Sequence, residues 1–232
     1  MPKVYRNAGQ NVRELALKRR LKAISLFVSA ALITIFPNFL VSIFNNFLKQ
    51  LPSLNSAATP KIQLPSLLYI LFVFVALGLV FNGVNLWKMA NRADQGAAGE
   101  ENIAKSLNIL MKTGWRIEYG TLLGNGLGDA DIICTSPRNN TYVIDVKSHR
   151  GEIITDGGYI SRKMGKVNHQ FEKDFIEMVM KQALQVKKQK QLNFVTPIVA
   201  FSQAKVSLPL EKIRGVYVVD KLNLVTLLKS LG

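Results

Sequence analysis

Cysteine is nearly absent from this chain: Cys134 is the one thiol in 232 residues. An intramolecular disulfide framework is therefore excluded, and a reducing compartment fits. Cys134 lies within an apolar strand pattern and reads as a packed core residue, not a nucleophile. Histidine is scarce too, with His149 and His169 alone, too few for a histidine-rich zinc site. Acids are outnumbered, 15 Asp+Glu against 30 Lys+Arg, for a net charge of +15. Such a balance favours an anionic partner: nucleic acid, a membrane surface, or both. Neither an internal repeat nor a low-complexity tract is visible.

Charge is missing altogether from two long runs. Residues 1–22 form a basic tail carrying Lys3, Arg6, Arg13, Lys18, Arg19, Arg20 and Lys22 against the lone acid Glu14. Residues 23–48 are uncharged and apolar, interrupted by Pro37, and are long enough for a first transmembrane helix. Residues 49–63 are a polar connector, and residues 64–87 a second uncharged span ending on Trp87, an interfacial anchor. Two buried core helices are the soluble alternative, and a cleaved signal peptide would account for the first run only. The lysine and arginine bias places the tail and the C-terminal region in the cytoplasm and the connector outside. Residues 88–95 read as a small-residue linker, and residues 96–232 as the remaining domain.

Within that domain, residues 100–112 have helical periodicity, with Ile103, Ala104, Leu107, Leu110 and Met111 on one face. Glu100 shares that face and must find a partner; Glu101 points toward solvent. Residues 115–119 suggest a strand, and residues 124–128 a glycine-rich loop. A β-hairpin follows, turning at Pro137, Arg138, Asn139 and Asn140. Its return strand holds Asp145 and Lys147 on one face, and Asp131 opens the first strand. Acids and a lysine inside a valine and isoleucine run are either a structural ion pair or a chemical site. Two carboxylates at this spacing suit Mg²⁺ beside a phosphate, and a lysine next to them suits developing negative charge. Further on, Arg162, Lys163 and Lys166 read as a basic loop. A helix is expected from about His169 to Lys190, striped by Phe171, Phe175, Met178, Val179, Gln182 and Val186. Lys187, Lys188 and Lys190 at its end would meet phosphates or simply be solvated. Strands alternating with helices imply an α/β domain.

The ordered pieces Gly96-Ala-Ala-Gly99-Glu100, Gly128-Asp-Ala-Asp131, Ile144-Asp145-Val146-Lys147 with Gly151-Glu-Ile153, and Gln182-Ala183 resemble the nuclease-related domain, NERD. That family is a branch of the PD-(D/E)XK nuclease superfamily. The resemblance covers about residues 96–228. It implies a restriction-endonuclease-like mixed central sheet flanked by helices, a divalent metal, and cleavage of DNA. By the same resemblance Glu100 is the first-helix acid, Asp131 and Asp145 are metal-binding acids, Lys147 is the motif lysine and Gln182 the helix glutamine. Asp145 stands where the branch usually has glutamate. Tyr159 stands where tryptophan is common, and Val186 where related exonucleases carry tyrosine. The expectation is a two-span membrane hairpin presenting a cytoplasmic, Mg²⁺- or Mn²⁺-dependent nuclease. Glu100, Asp131 and Asp145 are its metal acids, and Arg162, Lys163, Lys166, Lys187, Lys188 and Lys190 its nucleic-acid contacts. The rival reading is a membrane-tethered binding or scaffold module without turnover.

Overall fold

A computed structural model describes residues 7–50, 61–208 and 211–232. The chain divides into two compact units. One comprises the residues up to Glu14 together with Ala93–Gly232, the other Leu15–Arg92.

Two helices dominate the second unit. Helix α1, Gln10–Lys49, runs through Pro37, and helix α2 is Ser66–Met111. Both are long and apolar enough to cross a membrane, with mean hydropathies of 2.1 and 2.5 in their most apolar windows. Those windows are hardly buried by protein, and Leu32, Ile35, Phe36, Phe74 and Phe81 lie exposed. The buried positions are small: Ala16, Ala23, Ala30 and Pro37 recur every seven residues along α1, and Ala76, Gly83 and Ala90 do so along α2. Small residues at that period let two helix backbones approach closely. Phe27 lies against Gly83, where an added Cβ would come within 2.5 Å of its ring. The Arg19 guanidinium donates to the Met89 carbonyl at 3.3 Å, and Arg20 lies over the Trp87 ring. These pairs set the two segments antiparallel. Of the connector between the apolar runs, residues 51–60 lie outside the described residues.

The expected linker, residues 88–95, is helical. Helix α2 passes through it without a break, and the expected first domain helix is its C-terminal part. Alanine at 90, 93, 97 and 98 sustains the helix, while each glycine at 96 and 99 costs only about 1 kcal/mol relative to alanine.

The first unit is built on one mixed sheet. Strands β1 (Arg116–Leu122), β2 (Asp129–Thr135), β3 (Thr141–Thr155), β6 (Thr196–Val206), β8 (Val216–Asp220) and β7 (Lys212–Ile213) lie side by side in the order β1-β2-β3-β6-β8-β7. Strands β3, β6 and β8 are parallel at its centre, and the outer pairs are antiparallel. Strand β3 is long enough to pair twice: its second half carries β4 (Ile160–Met164), which pairs in turn with β5 (Val167–Gln170).

Two apolar layers cover the sheet. On one face Phe175, Ile176, Val179, Ala183 and Val186 of helix α3 (Phe175–Gln189) pack on Ile133, Val143, Val199 and Phe201. On the other, Ile103, Leu107 and Leu110 of α2 join Leu224, Leu227 and Leu228 of helix α4 (Lys221–Leu231) over Ile132, Ile144, Ile198 and Val219. The sheet is thus sandwiched between helices, the α/β architecture expected.

Two elements depart from expectation. Arg162, Lys163 and Lys166 do not form a loop; they lie on the β4–β5 hairpin, which turns at Gly165 and Lys166. The helix expected from His169 starts at Phe175, because Asp174 caps it by accepting the Glu177 N–H at 3.1 Å. His169 belongs to β5, paired with Arg162.

Candidate nuclease site

The site grows from the point where the β2–β3 ladder stops. Its last pair is Ile132–Ile144, and the next residues along the two strands are Asp131 and Asp145. Asp131 Oδ2 accepts the Val146 N–H at 2.7 Å, so a carboxylate takes over from the missing ladder bond. Asp131 is partly exposed as a residue, yet its carboxyl group faces inward through this bond. Asp145 is buried, 3% exposed. Lys147 projects from the same face, two residues on. Its Nζ donates to Asp145 Oδ1 at 2.9 Å and lies 4.8 Å from the centre of the Phe175 ring on α3. Asp145 Oδ2 lies 2.7 Å from the same ammonium, so both oxygens of the carboxylate face Lys147.

Glu100 comes from α2. Helix and sheet meet closely here: a Cβ on Gly99 would lie 2.8 Å from Ser202 Oγ and 2.9 Å from Ser148 Cβ. Only glycine lets the helix settle so near β3 and β6. The next residue, Glu100, is thereby turned inward and is 8% exposed. The partner that its position on an apolar face demands is supplied from outside the sheet: the Gly9 N–H donates to Glu100 Oε2 at 3.1 Å. Glu101 points outward as expected, held by both arms of the Arg13 guanidinium.

Gln182, on the buried stripe of α3, donates from Nε2 to the Asp129 carbonyl at 3.4 Å, while its Oε1 is buried without a partner. The sequence pattern leaves open whether Gln182 is a solvated stripe edge; it is 7% exposed.

Burial raises all three acids, and repulsion from neighbouring acids adds to it at Glu100 and Asp131. Desolvation, then Asp145 and Glu100, hold the Asp131 carboxyl well above the usual range, with Lys147 and the Val146 N–H opposing. Burial raises Asp145 in spite of its ion pair with Lys147. Glu100 is pushed up to about 7, by burial first and then by Asp145 and Asp129, against the pull of Gly9 and Lys147. Acids that share a buried site in this way cannot all stay ionised unless a cation joins them.

The donors present fit a hard divalent cation. All are oxygens, and Gln182 Oε1 is a buried acceptor without a donor. Among the described residues no three acids, histidines or cysteines stand close enough together to hold an ion by themselves. Mg²⁺ keeps several waters and commonly takes one or two carboxylates plus substrate phosphate, which this set can provide.

Residues 95–202 match the family model of NERD, the nuclease-related domain. Over that stretch the chain is similar to the NERD family. The match takes in Glu100, Asp131, Asp145, Lys147 and Gln182, and ends in β6. Strands β8 and β7, beyond the match, extend the same sheet from β6. Gly9 and Asn11 lie outside the match. No curated protein matches the chain.

The basic residues expected to meet phosphate fall in two places. Arg162, Lys163 and Lys166 lie on the β4–β5 hairpin, Lys163 and Lys166 exposed. Lys187 and Lys188 are exposed at the end of α3. Lys190 is engaged instead, with its Nζ 2.6 Å from Glu118 Oε1 on β1. Sequence reasoning gave no role to His149, which stacks on Phe175 and lies tilted against Phe171, beside Lys147. It also passed over Asp129, Gly9 and Asn11. The Asp174-to-Glu177 capping spacing was a readable signal for the start of α3; nothing in the local sequence marked Gly9.

Proposed function

We propose that this chain is a membrane-anchored, Mg²⁺- or Mn²⁺-dependent nuclease that hydrolyses phosphodiester bonds of nucleic acid, DNA first, at the cytoplasmic face. The observation that carries the reading is the buried group of Glu100, Asp131 and Asp145, each raised by burial, with Lys147 bonded to one of them. A binding module needs cations, not clustered buried acids. When bound, the metal would activate water and neutralise charge on the scissile phosphate. Asp131 and Asp145 would hold it, with the Val146 carbonyl beside them. Glu100 orients water or metal from α2. Lys147, fixed over Phe175, stabilises the extra negative charge of the transition state. Gln182 supports the pocket from α3. Lys163, Lys166, Lys187 and Lys188 offer exposed charge to the phosphate backbone.

Membrane anchoring is supported by the exposed leucine, isoleucine and phenylalanine of α1 and α2, a surface too apolar for water. The contacts of the N-terminal segment with the C-terminal domain support a hairpin. Gly9 touches Glu100 and Arg13 touches Glu101. Such bonds require an even number of membrane crossings between residues 14 and 93.

The test uses the full-length protein in detergent, incubated with Mg²⁺ or Mn²⁺ and with linear, circular and single-stranded DNA and RNA. Asp145→Asn should abolish cleavage. In EDTA it should melt at or above the wild-type temperature, because one of several crowded charges is gone. Metal should raise the melting temperature of wild type only. If the Asp145–Lys147 ion pair served stability alone, Asp145→Asn would strand Lys147 at a cost of about 3–5 kcal/mol. A mutant that melts well below wild type in EDTA, with a wild type indifferent to metal, sinks the nuclease reading.

A further inference from the structure

The residues ahead of the first apolar run take part in the site. Gly9 is buried and has φ +73, a conformation that side-chain-bearing residues rarely adopt. A Cβ there would lie 2.7 Å from the Ala97 carbonyl oxygen on α2. The backbone of residue 9 is therefore pressed against the helix that carries Glu100, and its N–H reaches Oε2 at 3.1 Å. Two residues on, Asn11 Nδ2 donates to Asp129 Oδ2 at 2.6 Å. Asp129 in turn offers its carbonyl to Gln182 and stands two residues before Asp131. Arg13 closes on Glu101 with two hydrogen bonds. Three consecutive odd-numbered residues of the tail thus hold three acids of the C-terminal domain, at or beside the site.

We propose that Gly9 and Asn11 are positioning residues of the nuclease site. Gly9 fixes the Glu100 carboxylate, leaving Oε1 for the reacting water or metal, and Asn11 fixes the Asp129 segment that carries Asp131 and meets Gln182. The basic tail is then a working part of the site as well as a topology signal. This inference rests on the nuclease reading and adds residues that lie outside the family match. A backbone N–H suits the role at position 9: it cannot swing away by rotating a side chain, and glycine alone permits the approach.

The experiment compares full-length wild type, Gly9→Ala, Asn11→Asp, Asp129→Asn and the double variant Asn11→Asp/Asp129→Asn, with Gln10→Ala as control. It measures kcat, KM for linear duplex DNA, the Mn²⁺ concentration giving half-maximal rate, and the melting temperature in EDTA. Partners that orient metal ligands are typically worth about ten- to hundred-fold in activity or metal affinity, and Gly9→Ala and Asn11→Asp should show losses of that order in kcat or Mn²⁺ requirement. KM for DNA should hold, because neither residue is a phosphate contact. The double variant reverses donor and acceptor across the same bond, and should recover toward wild type where either single change fails; a purely structural role would not make kcat follow the swap. Gln10→Ala should behave as wild type. Should Gly9→Ala not fold, the Asn11 and Asp129 variants decide alone. Unchanged kcat and Mn²⁺ requirement in Asn11→Asp and Gly9→Ala, with cleavage still lost in Asp145→Asn, overturns the positioning role and leaves the nuclease standing. A faster Gly9→Ala overturns it too, since the tail would then be a cover. A wild type that neither cleaves nor gains stability from Mn²⁺ overturns both readings.

Discussion

His149 sits with ring centroids 5.0 Å from Phe171 and 5.6 Å from Phe175, on the ring that also carries Lys147. Burial, then Arg162 and Lys147, lower its pKa from the usual 6.5. A histidine whose folded pKa lies below its unfolded value favours the neutral folded form. Its contribution to stability is present above pH 6.5 and is lost as pH falls through the folded value. The imidazole of His149, followed by NMR in a His169→Gln background that leaves one histidine, should titrate below 6.5. A midpoint at or above 6.5 would contradict the burial argument. Asp145 and Lys147 were legible in the sequence for a simple reason: strand side chains alternate, so a charged pair two apart in an apolar run must share a face. Glu100 was legible from helical spacing. The residues that bind Glu100 and Asp129 were not, since Gly9 and Glu100 are 91 positions apart and a backbone N–H leaves no mark in a side-chain pattern.

Elements were read well where one period dominated, as in β2 and the first half of β3. They were read poorly where charge masked the period. Strands β4 and β5 carry Arg162, Lys163, Asn168 and His169 on an exposed ribbon, with little apolar alternation to announce a hairpin. Helix α2 was divided at a supposed linker because glycines 96 and 99 suggest a break; Gly99 is there for the approach of the helix to Ser148 and Ser202. Gly99→Ala should overpack that approach and cost about 1–3 kcal/mol in a denaturation experiment. An unchanged melting temperature would mean the helix can shift. The end of α3 gives a sharper division. Lys187 and Lys188 are exposed, whereas Lys190 is occupied by Glu118. Replacing Lys187 and Lys188 by glutamine should flatten the salt dependence of DNA binding by about 0.9 in slope for each phosphate that is no longer neutralised. Lys190→Gln should leave the slope as it is. Equal effects from all three would return Lys190 to the interface.

On the scale of the whole molecule, an α/β domain and two apolar helices were plain from composition and strand–helix alternation, while the membership of the tail in the domain was not. A reporter at residue 55 should lie across the membrane from one at Gly232, with Gly232 on the cytoplasmic side. An external Gly232 reporter overturns the cytoplasmic placement, and matching signals at both positions overturn the hairpin. The seven-residue spacing of Ala16, Ala23, Ala30 and Pro37 was present in the sequence but hidden, because alanine counts as apolar in a run where every neighbour is apolar too. The docking of Gly9 and Asn11 also bears on what becomes of the protein when it is cut. A protease that clips the chain just after residue 92 frees a soluble piece holding Asp131, Asp145, Lys147 and Gln182, but leaves both tail donors behind on the first span. With Gly9 and Asn11 as positioning residues, that shed piece is a crippled enzyme. On the proposed function, nuclease activity would then be confined to the bilayer, and degradation of the anchor would not loose it on nucleic acid elsewhere in the cell.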